Sequence, residues 1–333
     1  FGDKEVAVVD FTHLPTAAPY IAFMPQWDFL NFIAERGRAL PRFRLLMEAR
    51  AVGIVSQAGR ATGVRAETAD GPLHVDAALV VAADGRSSDI RKAGGFVVKE
   101  IGAPMDVLWF RLSRRPDDAD ETFAQVGRGQ FVVMLNRGDY WQCAYAIPKG
   151  AINGLRDAGL AAFRAGFAAL FPKLADRTVD LAAWDDLKLL SVAVDRLETW
   201  WKPGLLCIGD AAHAMSPIGG VGVNLAIQDA IAAANILAAP LRDGTLSDSH
   251  LAAVQARREW PTKVTQAIQV AIQNHVVKPI LSGEGPLTPP LPLRLLDRVP
   301  PLRRIPARVI GMGFRPEHIG PTLSPPPAAS SAA

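Results

Sequence analysis

Cysteine is nearly missing from this 333-residue chain: Cys143 and Cys207 are the only two. Their spacing fits no metal motif, so neither a zinc site nor a disulfide framework is expected, and a reducing, cytoplasmic setting is. Long apolar runs are scarce. None reads as a transmembrane span, and the front of the chain has no features of a secretory leader. One-sided charge is missing as well. Thirty-six Lys and Arg stand against 33 Asp and Glu, with no basic block, which excludes a nucleic-acid footprint. There is no HExxH, no phosphate-cradling Walker loop and no GxSxG, so metalloprotease, nucleotide-triphosphatase and serine-hydrolase chemistry are not expected. No internal repeat occurs.

The chain is 49% hydrophobic, enough for a large core in about two domains. Residues 4–14 and 18–25 read as two strands joined by a short turn around Pro15. Residues 26–40, QWDFLNFIAERGRAL, have helical spacing, with Phe29, Leu30, Phe32 and Ile33 on the face expected to meet a core. Strands with turns at Gly59 and Gly71 follow, ending in Ala78–Ala83, apolar throughout and expected to be buried on both faces. From 105 to 148 the pattern is antiparallel and aromatic: MDVLWFRLSR, QFVVMLN and YWQCAYAIP. Residues 153–171 read as one helix and 187–197 as one strand. The apolar strand 204–209, a helix over 224–241 and another over 247–280 complete the pattern. The fold class is α/β: a Rossmann-like layer, interrupted by an antiparallel sheet, resumed, and closed by C-terminal helices.

Two apolar strands end in an acid, Asp84 in LVVAADGRSS and Asp210 in LLCIGDAAH. In open α/β sheets ligands bind beyond the carboxyl ends of the strands. An ionised carboxylate there accepts strong bonds from sugar or polyol hydroxyls. After Asp210 come Pro217, Gly219, Gly220 and Gly222, and then a helix. Glycines let a ligand touch backbone, and the first N–H groups of a helix point outward with partial positive charge. Such an end suits an electron-rich ring edge and stabilises negative charge formed during a reaction. His213 reads as structural, since no acid or nucleophile in the sequence stands in an obvious position to pair with it.

The stretches GDAAHAMSPIGGVGVNLAIQDA and VVAADGRSSDIR resemble the two cofactor motifs of the FAD-dependent aromatic hydroxylases, the para-hydroxybenzoate hydroxylase-like family. The resemblance extends to about residue 320. It implies that Asp210 binds the ribityl chain of FAD. It also implies that Pro217 lies beside the reacting edge of the flavin, and that the backbone of Gly220, Val221, Gly222, Val223 and Asn224 faces its pyrimidine. Asp84, Gly85 and Arg86 would lie near the pyrophosphate, and Gln26 would contact FAD. The implied activity is a monooxygenase: NADH or NADPH reduces FAD, O2 gives a flavin hydroperoxide, and an aromatic or similarly electron-rich small molecule is hydroxylated. No protein nucleophile and no metal are needed. Trp109, Phe110, Tyr140 and Trp141 are candidates for lining the substrate pocket.

On this reading residues 1–25 are substrate-sheet strands, 26–102 and 201–242 form the FAD-binding domain, and 103–200 form the substrate domain. Residues 243–320 are a helical region, with a possible homodimer contact, and 321–333 a disordered tail. The family opens with a strand, GxGxxG and a helix, and this sequence has no GxGxxG. A fragment is therefore expected, with weak or no FAD binding and an exposed sheet edge prone to aggregation. Alternatives are a non-catalytic chain or another flavoenzyme of the same fold, a reductase or halogenase. The basic apolar segment 301–314 resembles a bilayer-contact helix, but its prolines and short length favour packing on the protein, so membrane contact is not expected.

Overall fold

A computed structural model describes residues 1–283 and 287–320. In chain order the elements are α1 (Gln26–Arg38), β1 (Arg50–Gln57), β2 (Arg60–Thr68), β3 (Gly71–Asp76), β4 (Val80–Ala82), α2 (Asp89–Ala93), β5 (Val98–Glu100), β6 (Met105–Ser113), β7 (Phe123–Gly127), β8 (Gln130–Asn136) and β9 (Tyr140–Pro148). Then come α3 (Ile152–Ala158), α4 (Leu160–Leu170), β10 (Lys188–Leu190), β11 (Asp195–Leu197), β12 (Trp201–Lys202), β13 (Leu205–Cys207), α5 (Gly222–Arg242), α6 (Asp248–Ile272), α7 (Lys278–Ser282), α8 (Leu291–Arg298) and α9 (Arg304–Gly311). The chain divides into two units, each discontinuous. The first comprises Phe1–Leu46, Gly102–Ala193 and Ala267–Gly311; the second comprises Met47–Ile101, Val194–Gln266 and the described residues from Met312 to Gly320, and the tail expected to be disordered over 321–333 lies outside the described residues.

The first unit is built on a five-stranded antiparallel sheet in the order β10–β6–β9–β8–β7. Alternation along β6 and β9 sends Leu108, Phe110, Leu112, Trp141 and Cys143 to one face, where Phe163 and Phe167 of α4 cover them. The expected helix over 153–171 is broken. Gly159 sits at φ +90° between α3 and α4, a backbone that L side chains rarely adopt, and the chain turns there. Residues 4–14 and 18–25 form no strands. Pro15, Pro19 and Pro25 punctuate an irregular path, since each removes a ladder donor. The expected helix near residue 26 is present as α1, but it buries no side chain, and Leu30, Phe32 and Ile33 are exposed. Helical spacing identifies an apolar stripe but does not supply a partner for it.

The second unit holds a meander, β1–β2–β3, a two-stranded ladder, β11–β5, and a three-stranded sheet, β12–β13–β4. β13 pairs parallel with β4 and antiparallel with β12. Its core gathers Val80, Ala82, Ile90, Trp200, Leu205, Leu206, Cys207 and, from α5, Ala233 and Leu237. Two expectations change here. Val81 of β4 is 43% exposed, so that strand is covered on one face only. The single strand expected over 187–197 is instead β10 and β11, in different sheets. The segment Ile218–Arg242 is, by length and mean hydropathy of 1.4, apolar enough to cross a membrane, contrary to the sequence reading. In this fold it buries Leu225, Ala232, Ala233 and Leu237 and carries the buried Asp229, as a core helix does.

Candidate functional site

β4 and β13 run side by side with Ala82 opposite Cys207, so the loops that follow them leave the same carboxyl edge of the sheet. Asp210 lies in the tight turn Gly209–Ala211, with its side chain 31% exposed. Arg86 Nη2 donates to Asp210 Oδ2 at 3.3 Å. Asp84 is used differently. Its Oδ1 accepts from Ser88 Oγ at 2.5 Å and its Oδ2 from the Ile90 N–H at 3.2 Å. Ser88 in turn caps α2 by accepting from the Arg91 N–H at 2.8 Å. Both oxygens of Asp84 thus hold the shape of its own turn, and it is Arg86 that reaches the second loop. Asp84, Gly85, Arg86 and Asp210 are brought together at one edge.

Below them lies a buried layer. Arg91 donates from Nη1 to Asp195 Oδ1 at 3.2 Å and to the Ala211 carbonyl at 3.5 Å, and from Nη2 to the Arg86 carbonyl at 2.7 Å. One side chain therefore ties both loops together. Asp229 of α5 is fully buried and accepts three bonds: from the Gly209 N–H at 3.0 Å, from Arg258 Nε at 3.0 Å, and from His213 Nε2, which lies 2.5 Å away. Burial pushes the Asp229 carboxyl upward, but His213 and Arg258 outweigh it and hold the group below the usual carboxylate range. His213 therefore does have an acid partner, contrary to the sequence reading. Sixteen positions separate the two, a distance that sequence spacing does not reveal. The structural role expected for His213 stands, with its ring buried against Trp200.

The loop from Pro217 closes with a bond from the Gly220 N–H to the Pro217 carbonyl at 3.0 Å. Gly219 and Gly220 both have positive φ, +77° and +63°. No side chain caps α5, and its first internal bond runs from the Leu225 N–H to the Val221 carbonyl at 3.0 Å. The bare backbone of Gly222, Val223 and Asn224 opens the helix, and Val223 and Asn224 are exposed. A Cβ added at Gly220 or Gly222 would meet nothing within 4 Å, so the space over this end is open. A carboxylate for hydroxyls, an uncapped helix end for an electron-rich edge, and backbone free of side chains for a flat ring together fit a flavin.

The remaining candidates lie in the first unit. Gln26 opens α1 and is exposed. Phe110 and Trp141 belong to the helix-covered core: Phe110 packs edge-on against Phe163 and Phe167, and Trp141 Nε1 donates to Asp118 Oδ2 at 3.2 Å. Trp109 and Tyr140 project from the opposite face and are half-buried. That face also carries Phe131, Val133 and Leu135, all half-buried.

With fold and site defined, the chain can be placed among flavin-binding proteins. It belongs to the FAD binding domain family, whose profile matches residues 2–268. Among curated proteins it is 36% identical over 264 residues to 6-methylpretetramide 4-monooxygenase of Streptomyces rimosus, covering 78% of this chain and 63% of that one. Among solved structures, OxyS anhydrotetracycline hydroxylase from Streptomyces rimosus aligns at a TM-score of 0.67 and 20% identity, covering 90% of this chain and 59% of that one. A PqsL variant from P. aeruginosa aligns at 0.66 and 22% identity, covering 82% and 74%. These two structures share the fold of this chain: α/β with antiparallel sheets and C-terminal helices.

The sequence reading did not single out Arg91, Asp195, Asp229 or Arg258. Arg91 was visible in VVAADGRSSDIR and Asp229 in NLAIQDA. Asp229, inside the otherwise apolar stretch of α5, was the available signal, because such a group stays buried only when paired; Arg91 stands among other charged residues in DIRKA and carried none.

Proposed function

We propose that this chain works as an FAD-dependent monooxygenase that takes electrons from NADH or NADPH and places one oxygen atom of O2 on an aromatic or similarly electron-rich small molecule. The observation that carries this reading is the pairing of Arg86 with Asp210 beside the uncapped start of α5. Bound FAD supplies the electron transfer and oxygen activation that no side chain here provides. Asp210 holds hydroxyls of the bound group, and Arg86 fixes the direction of that carboxylate. The N–H groups of Gly222, Val223 and Asn224 stabilise negative charge at the ring edge. Pro217 stiffens the loop beside them. The Trp109, Phe131, Val133 and Leu135 face of the sheet offers a flat apolar surface of the kind an aromatic substrate uses. The relative named 6-methylpretetramide 4-monooxygenase supports an oxygenase acting on a ring system.

The test is a titration of FAD fluorescence with the purified chain, followed by NADH and NADPH oxidation and oxygen uptake over a panel of phenols. Saturable quenching that Asp210→Ala weakens, together with phenol-dependent oxygen uptake, is the expected result. Saturable quenching without oxygen uptake, for any phenol and either nicotinamide, would remove the monooxygenase reading and leave a flavin-binding module.

A further inference from the structure

The last two helices of the first unit have a composition that the flavin site does not explain. α8 (Leu291–Arg298) and α9 (Arg304–Gly311) are joined through a short turn at Pro300–Arg303. On α8 the positions Leu291, Arg294, Leu295 and Arg298 follow i, i+3, i+4, i+7, which places them on one side of the helix. All four are exposed, with Leu291 at 75% and Leu295 at 51%. Leu293 and Leu296 are half-buried, so the helix is apolar on both sides. On α9, Ala307 is buried while Arg304, Arg308 and Ile305, at 62%, are exposed. A helix that simply meets water shows charge outward and keeps leucine inside. Here leucine and isoleucine share the outward side with arginine.

The prolines do not contradict this arrangement. Pro292 stands in the first turn of α8, where a missing N–H costs nothing, and Pro290 immediately precedes the helix. The helices are thus preformed although short.

The charges on this side are largely free. Arg294, Arg298 and Arg308 make no ion pair among the described residues. Arg303 is committed internally, donating to the carbonyls of Leu296 and Asp297 at 2.9 and 2.6 Å. Arg304 contacts His13 at 2.9 Å. Asp297, the one acid on α8, accepts from the Ala7 N–H at 3.1 Å and faces Arg303. The outward side of α8 therefore presents Arg294 and Arg298 with Leu291 and Leu295 between them, and neither arginine has an ion pair among the described residues, although the neighbouring N-terminal stretch carries the exposed Asp3 and Glu5.

We propose that the outward side of α8 and α9 docks on the headgroup layer of an anionic phospholipid surface. Guanidinium groups meet the lipid phosphates, while Leu291, Leu295 and Ile305 enter the boundary of the acyl region. Charge complementarity selects this partner. Nucleic acid would match the arginines but leave the leucines in water, whereas a lipid surface matches both. The proposal is independent of the flavin reading.

The test is flotation of the purified 333-residue chain with vesicles of phosphatidylcholine alone or of phosphatidylcholine mixed with phosphatidylglycerol. Flotation with the mixed vesicles only, reversed by salt, is expected. Two double variants separate the contributions: Arg294→Gln with Arg298→Gln, and Leu291→Ser with Leu295→Ser. Each is expected to lower the partition coefficient at least about tenfold, with an unchanged circular dichroism spectrum because all four side chains are exposed. Equal binding to neutral vesicles, no binding to either, or mixed-vesicle binding that neither variant weakens would overturn the proposal. So would sedimentation showing that these variants dissolve a dimer without affecting vesicles, since a second copy would then be the partner.

Discussion

Arg91 donates to the backbone carbonyl of Arg86 at 2.7 Å, and so a buried guanidinium sets the position of the half-buried one that reaches Asp210. The same side chain reaches Asp195 and the Ala211 carbonyl, so it bears on both loops. The half-buried pair is the part a ligand would touch, and the buried residue decides where that pair stands.

Arg91→Met is expected to destabilise the chain by about 3–5 kcal/mol, because Asp195 would remain buried without its partner. Arg91→Lys is expected to recover little of this, since an ammonium cannot span Asp195 and two carbonyls from one plane. Chemical denaturation of the three proteins checks both statements.

Asp210→Ala is expected to leave the fold intact, because the carboxylate is partly exposed and, among the described residues, Arg86 is the one side chain that bonds to it. It removes charge-assisted bonds to ligand hydroxyls worth about 1.5–3 kcal/mol, which corresponds to roughly 10–100-fold in the FAD dissociation constant. Fluorescence titration beside an unchanged melting curve is the measurement.

The Arg177 guanidinium beside Asp118, with bonds from the Arg115 N–H and Trp141 Nε1, holds that carboxyl down to about 2 against the cost of burial. A group whose folded pKa is depressed contributes stability above its unfolded value, and that contribution is lost as pH falls toward the folded value. Unfolding free energy is therefore expected to decline between about pH 4 and pH 2, and Asp118→Asn should flatten that limb. Urea denaturation across this range tests the sign.

Phe110 and Trp109 are chain neighbours on opposite faces of β6. Phe110→Ala opens a cavity among Phe163 and Phe167 and should cost about 3–5 kcal/mol. Trp109→Ala should cost far less stability and instead change KM for the organic substrate, as steady-state kinetics with the oxygen-uptake assay would reveal.

The strands of the antiparallel sheet and the two acid-ended strands were legible because each depends on local pattern: alternation in β6, β8 and β9, and apolar runs stopping at Asp84 and Asp210. β7 was missed because FAQVG is short and carries little alternation. The buried layer was less legible for a physical reason. Arg91 with Asp195, and Asp229 with His213 and Arg258, are pairs made by tertiary structure, and each member alone looks like an ordinary polar residue. The exposed stripe of α1 was misread for the complementary reason. Periodicity tells which side is apolar, not what lies against it.

The partners in the Arg86–Asp210 contact are separated by 124 positions. Closing so long a loop costs entropy that local hairpins such as β8–β9 do not meet, and contacts of that separation form late in folding. On a growing chain the Asp84 turn must therefore wait, complete but unanswered, while the entire five-stranded sheet is synthesised before Asp210 arrives. Arg258 of α6 emerges later still and braces the Gly209 turn through Asp229, so a ligand that binds both loops would act on a late step of folding rather than on the first.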